Sequence, residues 1–456
     1  MKHIFLIAFF AFSIYSQAQE TVNLQQRTFT LEEAIQFGLE NGYNSRIAKK
    51  DVAIALKQKW EIIAQGLPQI SGDANYNNNL KQPVTLIPGE VAGGEPGTFV
   101  PVTFGTKHSV NATGTWNQLI FDGSYIVGIQ SAKTLLQISE NAKVKTDLEV
   151  KKAITDAYGN VLLASESVTI LKKNLSTVEK NLNDTRKIFE NGLAEEEDVE
   201  QLEITRLNLE ANLNNSIRMQ SIAYDMLKVT MGIPVTEEIK VTDNLSELSE
   251  ENFNLLLLSK EMNVEENIDY RIAEDQANLS EVEVKLEKSK ALPTLSAFVN
   301  YGVAGYSDEF TFFNSDQDYF TQSVLGVNLS IPIFSSGMRS AKTAQKQLAF
   351  EQAKLQLEQT KNQVTLEIAN ARNEYQFALE NYENKQRNLE LAERIEKKNS
   401  IKFFEGIATS FELSEAQQQL FQAQQDYLQS MLDVISTKAE LENLLDTTKY
   451  PENKDE

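Results

Sequence analysis

Side chains that could act as nucleophiles or metal ligands are scarce here, and carboxylates are what remains. The 456 residues include no cysteine and two histidines. His3 lies in an apolar leader, which leaves His108. Disulfides, thiol catalysis and a lipid anchor on an N-terminal cysteine are excluded, and His- or Cys-based triads and metal centres nearly so. Aspartate and glutamate number 65 against 43 lysines and arginines, a net charge of -22. Paired carboxylates can do glycosidase-type acid–base work, yet nothing in the sequence places two of them across a pocket. The most pointed pair is Glu412 and Glu415, in KFFEGIATSFELSEAQQQL (Lys402–Leu420). They lie three apart on one helical face, just past a glycine turn. On residues alone they read as an exposed charged face, as does Glu195-Glu196-Glu197 near Gly192. The negative balance argues against a nucleic-acid partner. It fits a solvated surface, or a water-filled passage that favours cations.

The elements that would hold such residues begin with an export signal. Lys2 precedes an apolar run from Ile4 to Ile14, and Ser16-Gln17-Ala18 forms a small-x-small cleavage site. That run is too short to span a bilayer, and no later window is long and apolar enough. Residues 1–18 are expected to be a signal peptide. The exported chain would then be periplasmic, secreted, or an outer-membrane β-barrel.

The chain is expected to be written twice. Aligning Gly192 with Gly406 pairs Phe189 with Phe403, Leu193 with Ile407, Asp198 with Glu412 and Val199 with Leu413. Upstream, Leu67-Pro68 matches Leu292-Pro293, and Phe121-Asp122-Gly123 matches Phe334-Ser335-Ser336-Gly337. Each half reads helix, Leu-Pro, two strands, Phe-x-Gly, a very long helix, a glycine turn and a second long helix. The expected organisation is a first repeat over 19–234, ending at Gly232-Ile233-Pro234, and an equatorial connector over 235–262. A second repeat follows over 263–446, with a flexible tail over 447–456.

The long segments carry helical seams. Val168, Leu171, Leu175, Val178, Leu182 and Phe189 recur on a three-four spacing, as do Leu413, Ala416, Leu420, Ala423, Tyr427, Ser430, Val434, Thr437, Leu441 and Leu444. From Gly123 to Phe189 there is no proline, which predicts a helix about 100 Å long. Ala371, Lys385, Glu396 and Asn399 dilute the seam between Val364 and Phe403. Small and polar seam residues suit a helical wall with water on both sides; an ordinary coiled coil stays open on the helices alone.

Four runs of about ten residues alternate with period two. Leu295, Ala297, Val299, Tyr301 and Val303 form one apolar set, and Leu325, Val327, Leu329 and Ile331 another. Ile70, Gly72, Ala74 and Tyr76, then Val110, Ala112, Gly114 and Trp116, form the matching pair. The connecting stretches Lys81–Lys107 and Ala304–Thr321 read as long exposed loops. Four strands cannot close around a lumen, and open edges cannot face lipid. If these strands are membrane-embedded, several chains must share one barrel.

Taken together, Phe189-x-x-Gly192-Leu193 with Asp198-Val199, the copy at Phe403–Leu413, and the Leu-Pro and Phe-x-Gly anchors resemble the TolC-like outer-membrane efflux proteins (outer membrane factors), over nearly the whole exported chain. The resemblance implies a mainly α fold with a small β part. Long antiparallel coiled-coil helices would form an α-helical barrel, and four strands per chain would join a transmembrane β-barrel shared by a homotrimer. It implies that the helical tunnel tapers shut at the glycine turns. Glu412 and Glu415, with Asp198 as first-half counterpart, would ring the constriction and favour cations. Gly192, Leu193, Gly406 and Ile407 would dock a periplasmic adaptor (membrane fusion) protein linked to an inner-membrane transporter. Some members close the mouth with a Tyr and an Arg; here those positions are Phe403 and Ala408.

The function expected is a passive exit duct in the outer membrane, extending into the periplasm, with no enzyme chemistry, cofactor or metal. It would serve a tripartite efflux or type I secretion system. A soluble periplasmic coiled-coil scaffold or adaptor is the alternative. A secreted hydrolase is the remote one.

Overall fold

The computed structural model describes residues 27–446. The expected signal peptide and tail lie outside the described residues. In chain order come β1 (Arg27–Phe29), α1 (Leu31–Asn41), α2 (Tyr43–Gln65), β2 (Gln69–Asn78), β3 (Val84–Pro88), β4 (Phe99–Thr103), β5 (His108–Asp122), α3 (Gly123–Glu190) and α4 (Glu196–Met231). Next are β6 (Ile239–Val241), α5 (Leu245–Glu251), α6 (Leu255–Ser259), a 3-10 turn at Val264–Glu266 and α7 (Ile268–Ser289). The chain finishes with β7 (Thr294–Ser307), β8 (Tyr319–Ser330), α8 (Met338–Phe404) and α9 (Ser410–Leu445). It is a mainly helical fold with some strands. The two long helix pairs run 68 and 36 residues, then 67 and 36.

Two compact units divide the chain, and α3, α8 and α9 each contribute to both. The first comprises the described residues up to Gly42, Ala153–Phe253 and Ala378–Ser436. Its seam residues Val168, Leu171, Val178, Leu182, Leu413, Ala416 and Val434 are buried, as their spacing predicts. Leu171, Val178 and Leu209 form one apolar layer; Leu182, Leu202 and Leu413 form another, flanked by Val199 and Phe403. Polar pairs interrupt these layers. Thr205 and Ser414 share a hydrogen bond of 2.7 Å, and Asn174 donates to Gln424 at 2.7 Å. Lys385 meets Asp426 at 2.7 Å. The dilution read from the sequence is thus real; these pairs satisfy each other, while buried Asn181 Nδ2 and Thr185 Oγ1 have no hydrogen-bond partner among the described residues.

Within the first unit, Arg27–Phe29 pairs in parallel with Ile239–Val241. Tyr158, buried completely, donates its hydroxyl to the Phe29 carbonyl at 2.9 Å. Burial pushes the phenol well above its ordinary range. Thr30 and Glu33 form a capping box at the start of α1. Helix α4 ends at Gly232 with φ 80°, its N–H and that of Ile233 returning to the last turn. A Cβ there would sit 2.5 Å from the Asn41 carbonyl oxygen. Gly232→Ala is therefore expected to destabilise by about 1–3 kcal/mol, read as a lowered melting temperature.

The second unit comprises Tyr43–Lys152, Asn254–Phe377 and the described residues from Thr437. Pro68 and Pro293 separate α2 from β2 and α7 from β7, because proline cannot continue a helix. Asp122 caps α3, accepting from the Ser124 and Tyr125 amides at 2.7 and 3.2 Å. The second Phe-x-Gly site does otherwise: Ser336 and Gly337 both take positive φ before α8.

The unit's main sheet has the order β2-β5-β7-β8, antiparallel throughout. Its register gathers the alternating apolar sets onto one face. Ile70, Trp116, Val299 and Leu325 align in one row across all four strands. Ala74, Ala112, Val303 and Thr321 align in another. The opposite face carries Asp73, Thr113, Gly302 and Gln322 in register. Strands β2 and β8 are the edges, and neither has an outer partner among the described residues. Ile331 falls outside the sheet: β7 begins at Thr294 opposite Ser330, so nothing remains to pair with it. Lys81–Lys107 is more than a loop, since β3 and β4 pair there as a hairpin.

Candidate functional site

Both expected turns lie in the first unit, above the layer of Leu182, Leu202 and Leu413. Each closes a long helix in the same way. The Gly192 N–H donates to Phe189 O at 2.8 Å and the Leu193 N–H to Ile188 O at 3.0 Å. The Gly406 N–H donates to Phe403 O at 3.0 Å and the Ile407 N–H to Lys402 O at 2.8 Å. These are paired Schellman bonds, which require a left-handed residue at the penultimate position. Gly192 and Gly406 supply it with φ 74° and 72°. Leu193 and Ile407, next in line, are 80% and 70% exposed. Such apolar side chains held in water at a rigid turn are suited to contact with another surface.

The acidic residues are first of all helix caps. At the head of α9, the Glu412 carboxylate accepts from the Thr409 N–H at 2.8 Å, while Thr409 Oγ1 accepts from the Glu412 N–H at 3.2 Å. This is a capping box. At the head of α4, Asp198 accepts from the Glu195 N–H at 3.3 Å. Glu415 lies exposed one turn further along α9. The pairing of Asp198 with Glu412 thus has a shared local cause in cap chemistry. The sequence signal was present as Thr409-x-x-Glu412 and was missed as a cap.

The backbone and side-chain hydrogen bonds from Thr409, with Lys402 a smaller contributor, hold the Glu412 carboxyl below its usual range. A depressed acid stabilises the fold above its unfolded value and loses that stabilisation as pH falls through the folded value. Hydrogen-exchange protection at Thr409 is therefore expected to drop in acid, below the ordinary glutamate range. Glu412→Gln, which keeps the box but cannot titrate, is expected to lack the drop.

Phe403 takes a packing role where a polar lock was expected to be missing. Its ring lies against the Leu182–Leu202–Leu413 layer and 5.3 Å from that of Phe404. Below it, Gln417 is 1% exposed and adjoins Glu396, whose carboxyl is pushed up by burial and drawn down less by that amide. Among the described residues no cluster of three or more His, Cys, Asp or Glu could hold a metal ion. None of the described helices is long and apolar enough to cross a membrane.

Residues 264–447 match the sequence profile of the family described as outer membrane efflux protein. No curated protein matches the chain. Among solved structures, CusC is similar, with 17% identity, a TM-score of 0.72 and 91% of each chain covered. CmeC, an outer-membrane channel of Campylobacter jejuni, shares 16% identity with a TM-score of 0.71, over 91% of this chain and 85% of its own. VceC, an outer-membrane protein of Vibrio cholerae, shares 16% at 0.69, over 91% and 95%. At such identities the likeness is one of fold. The profile match and the fold together bear out the resemblance to the TolC-like outer-membrane efflux proteins.

Proposed function

We propose that the chain is one subunit of a homotrimeric, passive exit duct that crosses the outer membrane and extends into the periplasm. The observation that carries this reading is the sheet β2-β5-β7-β8, with an apolar row across all four strands and two unpaired edges. A lipid-facing sheet cannot leave edges open, so β8 of one copy would pair with β2 of the next until the ring closes. The similar helix pairs support two structural repeats, 19–234 and 263–446, joined by the connector 235–262.

Glu412, Glu415 and Asp198 would supply the negative charge of a constriction at the turns and favour cations. Gly192, Leu193, Gly406 and Ile407 would meet a periplasmic adaptor, which links the duct to an inner-membrane transporter that supplies the energy. Outer-membrane lipid is the remaining partner. No chemistry is performed; an aqueous path replaces a hydrocarbon barrier. Purified protein added to planar bilayers should give discrete, cation-preferring conductance steps. A chain recovered wholly from the soluble periplasmic fraction, with no conductance, would instead make it a scaffold.

A further inference from the structure

The hairpin β3–β4 is a two-stranded sheet with no cover on one side. Its register sets Val84 opposite Thr103, Leu86 opposite Pro101 and Pro88 opposite Phe99. On that face Val84, Leu86 and Phe99 are 59%, 61% and 65% exposed. A lone hairpin is marginal in water, and an uncovered apolar face calls for a partner.

The topology says which partner. Asn78 pairs with His108, His108 with Ser307, and Gly305 with Tyr319, so both connecting segments rise from one end of the sheet. The hairpin springs from edge β2; the segment 308–318 leads into the opposite edge, β8. Joining β8 of one copy to β2 of the next therefore brings 308–318 against the neighbour's hairpin. That segment is braced on its own copy's sheet: Phe310 and Phe312 pack on Tyr76 of β2, Phe312 is buried, and Tyr319 of β8 donates its hydroxyl to the Phe312 carbonyl at 2.6 Å. Phe313 is left 91% exposed. Asp316 and Asp318 stand exposed beside it, with no basic residue in the segment, while exposed Lys81 flanks the hairpin on the β2 side; Lys107, on the β5 side, donates its backbone N–H to Asp308 of its own copy at 3.1 Å. Apolar surface and opposite charge thus meet across the joint.

We propose that the β3–β4 hairpin of each copy docks through Val84, Leu86 and Phe99 onto Phe313 and the acidic segment of the adjoining copy, an inter-subunit clasp over the mouth of the barrel. This rests on the shared-barrel reading above. The cysteine-free chain makes the test clean. Chains carrying Leu86→Cys and chains carrying Phe313→Cys are produced together and oxidised in membranes; the detergent-corrected mass is measured on every preparation. A disulfide-linked dimer is expected from the mixture and from neither variant alone. Leu86→Asp with Phe99→Asp is expected to speed tryptic cleavage at Lys81 and Lys107 about tenfold in the assembled protein. An intact oligomer without the mixed dimer, a Leu86→Cys self-dimer, or unchanged cleavage overturns the clasp and leaves the barrel standing. A monomeric mass overturns both.

Discussion

Exchanging Glu412 and Glu415 for glutamine together is expected to lower cation preference in planar bilayers several-fold, with assembly unchanged. Glutamine is the informative choice. The Glu412 carboxylate accepts from the Thr409 amide, and glutamine serves as well in a capping box. The charge is removed while the start of α9 is kept. Alanine would remove both, so lost selectivity could then reflect a frayed helix. Glu415, exposed one turn further along α9, carries no such complication. Asp198→Asn, which keeps an acceptor for the Glu195 amide, should add a smaller loss. Unchanged reversal potentials in the double variant would return Glu412 to the standing of a helix cap and Glu415 to that of a solvated face.

The second large effect is expected from Leu413→Ala. Leu413 is completely buried and joins Leu182 and Leu202 beneath both turns. Deleting a buried leucine to alanine costs about 2–5 kcal/mol, according to how far the site collapses. We propose that this layer, with Phe403 on its flank, would hold the turns closed in the absence of a Tyr–Arg lock. The variant should show faster amide exchange through Leu193 and Ile407 and a raised resting conductance. A lowered melting temperature with no change in resting conductance would confine Leu413 to stability. Leu209→Ala, in the neighbouring layer, is the control that destabilises away from the turns.

Much of this was legible wherever a local rule governs. Pro68 and Pro293 end helices by chain chemistry, so the helix–strand borders could be read directly. Alternation in Leu295–Val303 revealed a two-faced strand because strand side chains repeat with period two. Gly192 and Gly406 marked turns because left-handed backbone favours glycine. What escaped depends on partners distant in sequence or on conflicting signals. The β1–β6 pairing joins two three-residue strands over 200 positions apart and has no local periodicity. The β3–β4 hairpin was hidden by Pro83, Pro88, Pro96 and Pro101, which argue against strand except at edges. The carboxylates of Glu412 and Asp198 were read for charge, and their hydrogen bonds to helix starts were overlooked. The relation of these residues to a pore depends on neighbouring copies, which no single chain contains.

The most direct measurement is the detergent-corrected mass of the purified full-length chain, made with and without detergent. The account predicts three chains in one particle that needs detergent to remain dissolved. A folded monomer that stays in plain buffer would contradict it, since edges β2 and β8 would then face water unpaired.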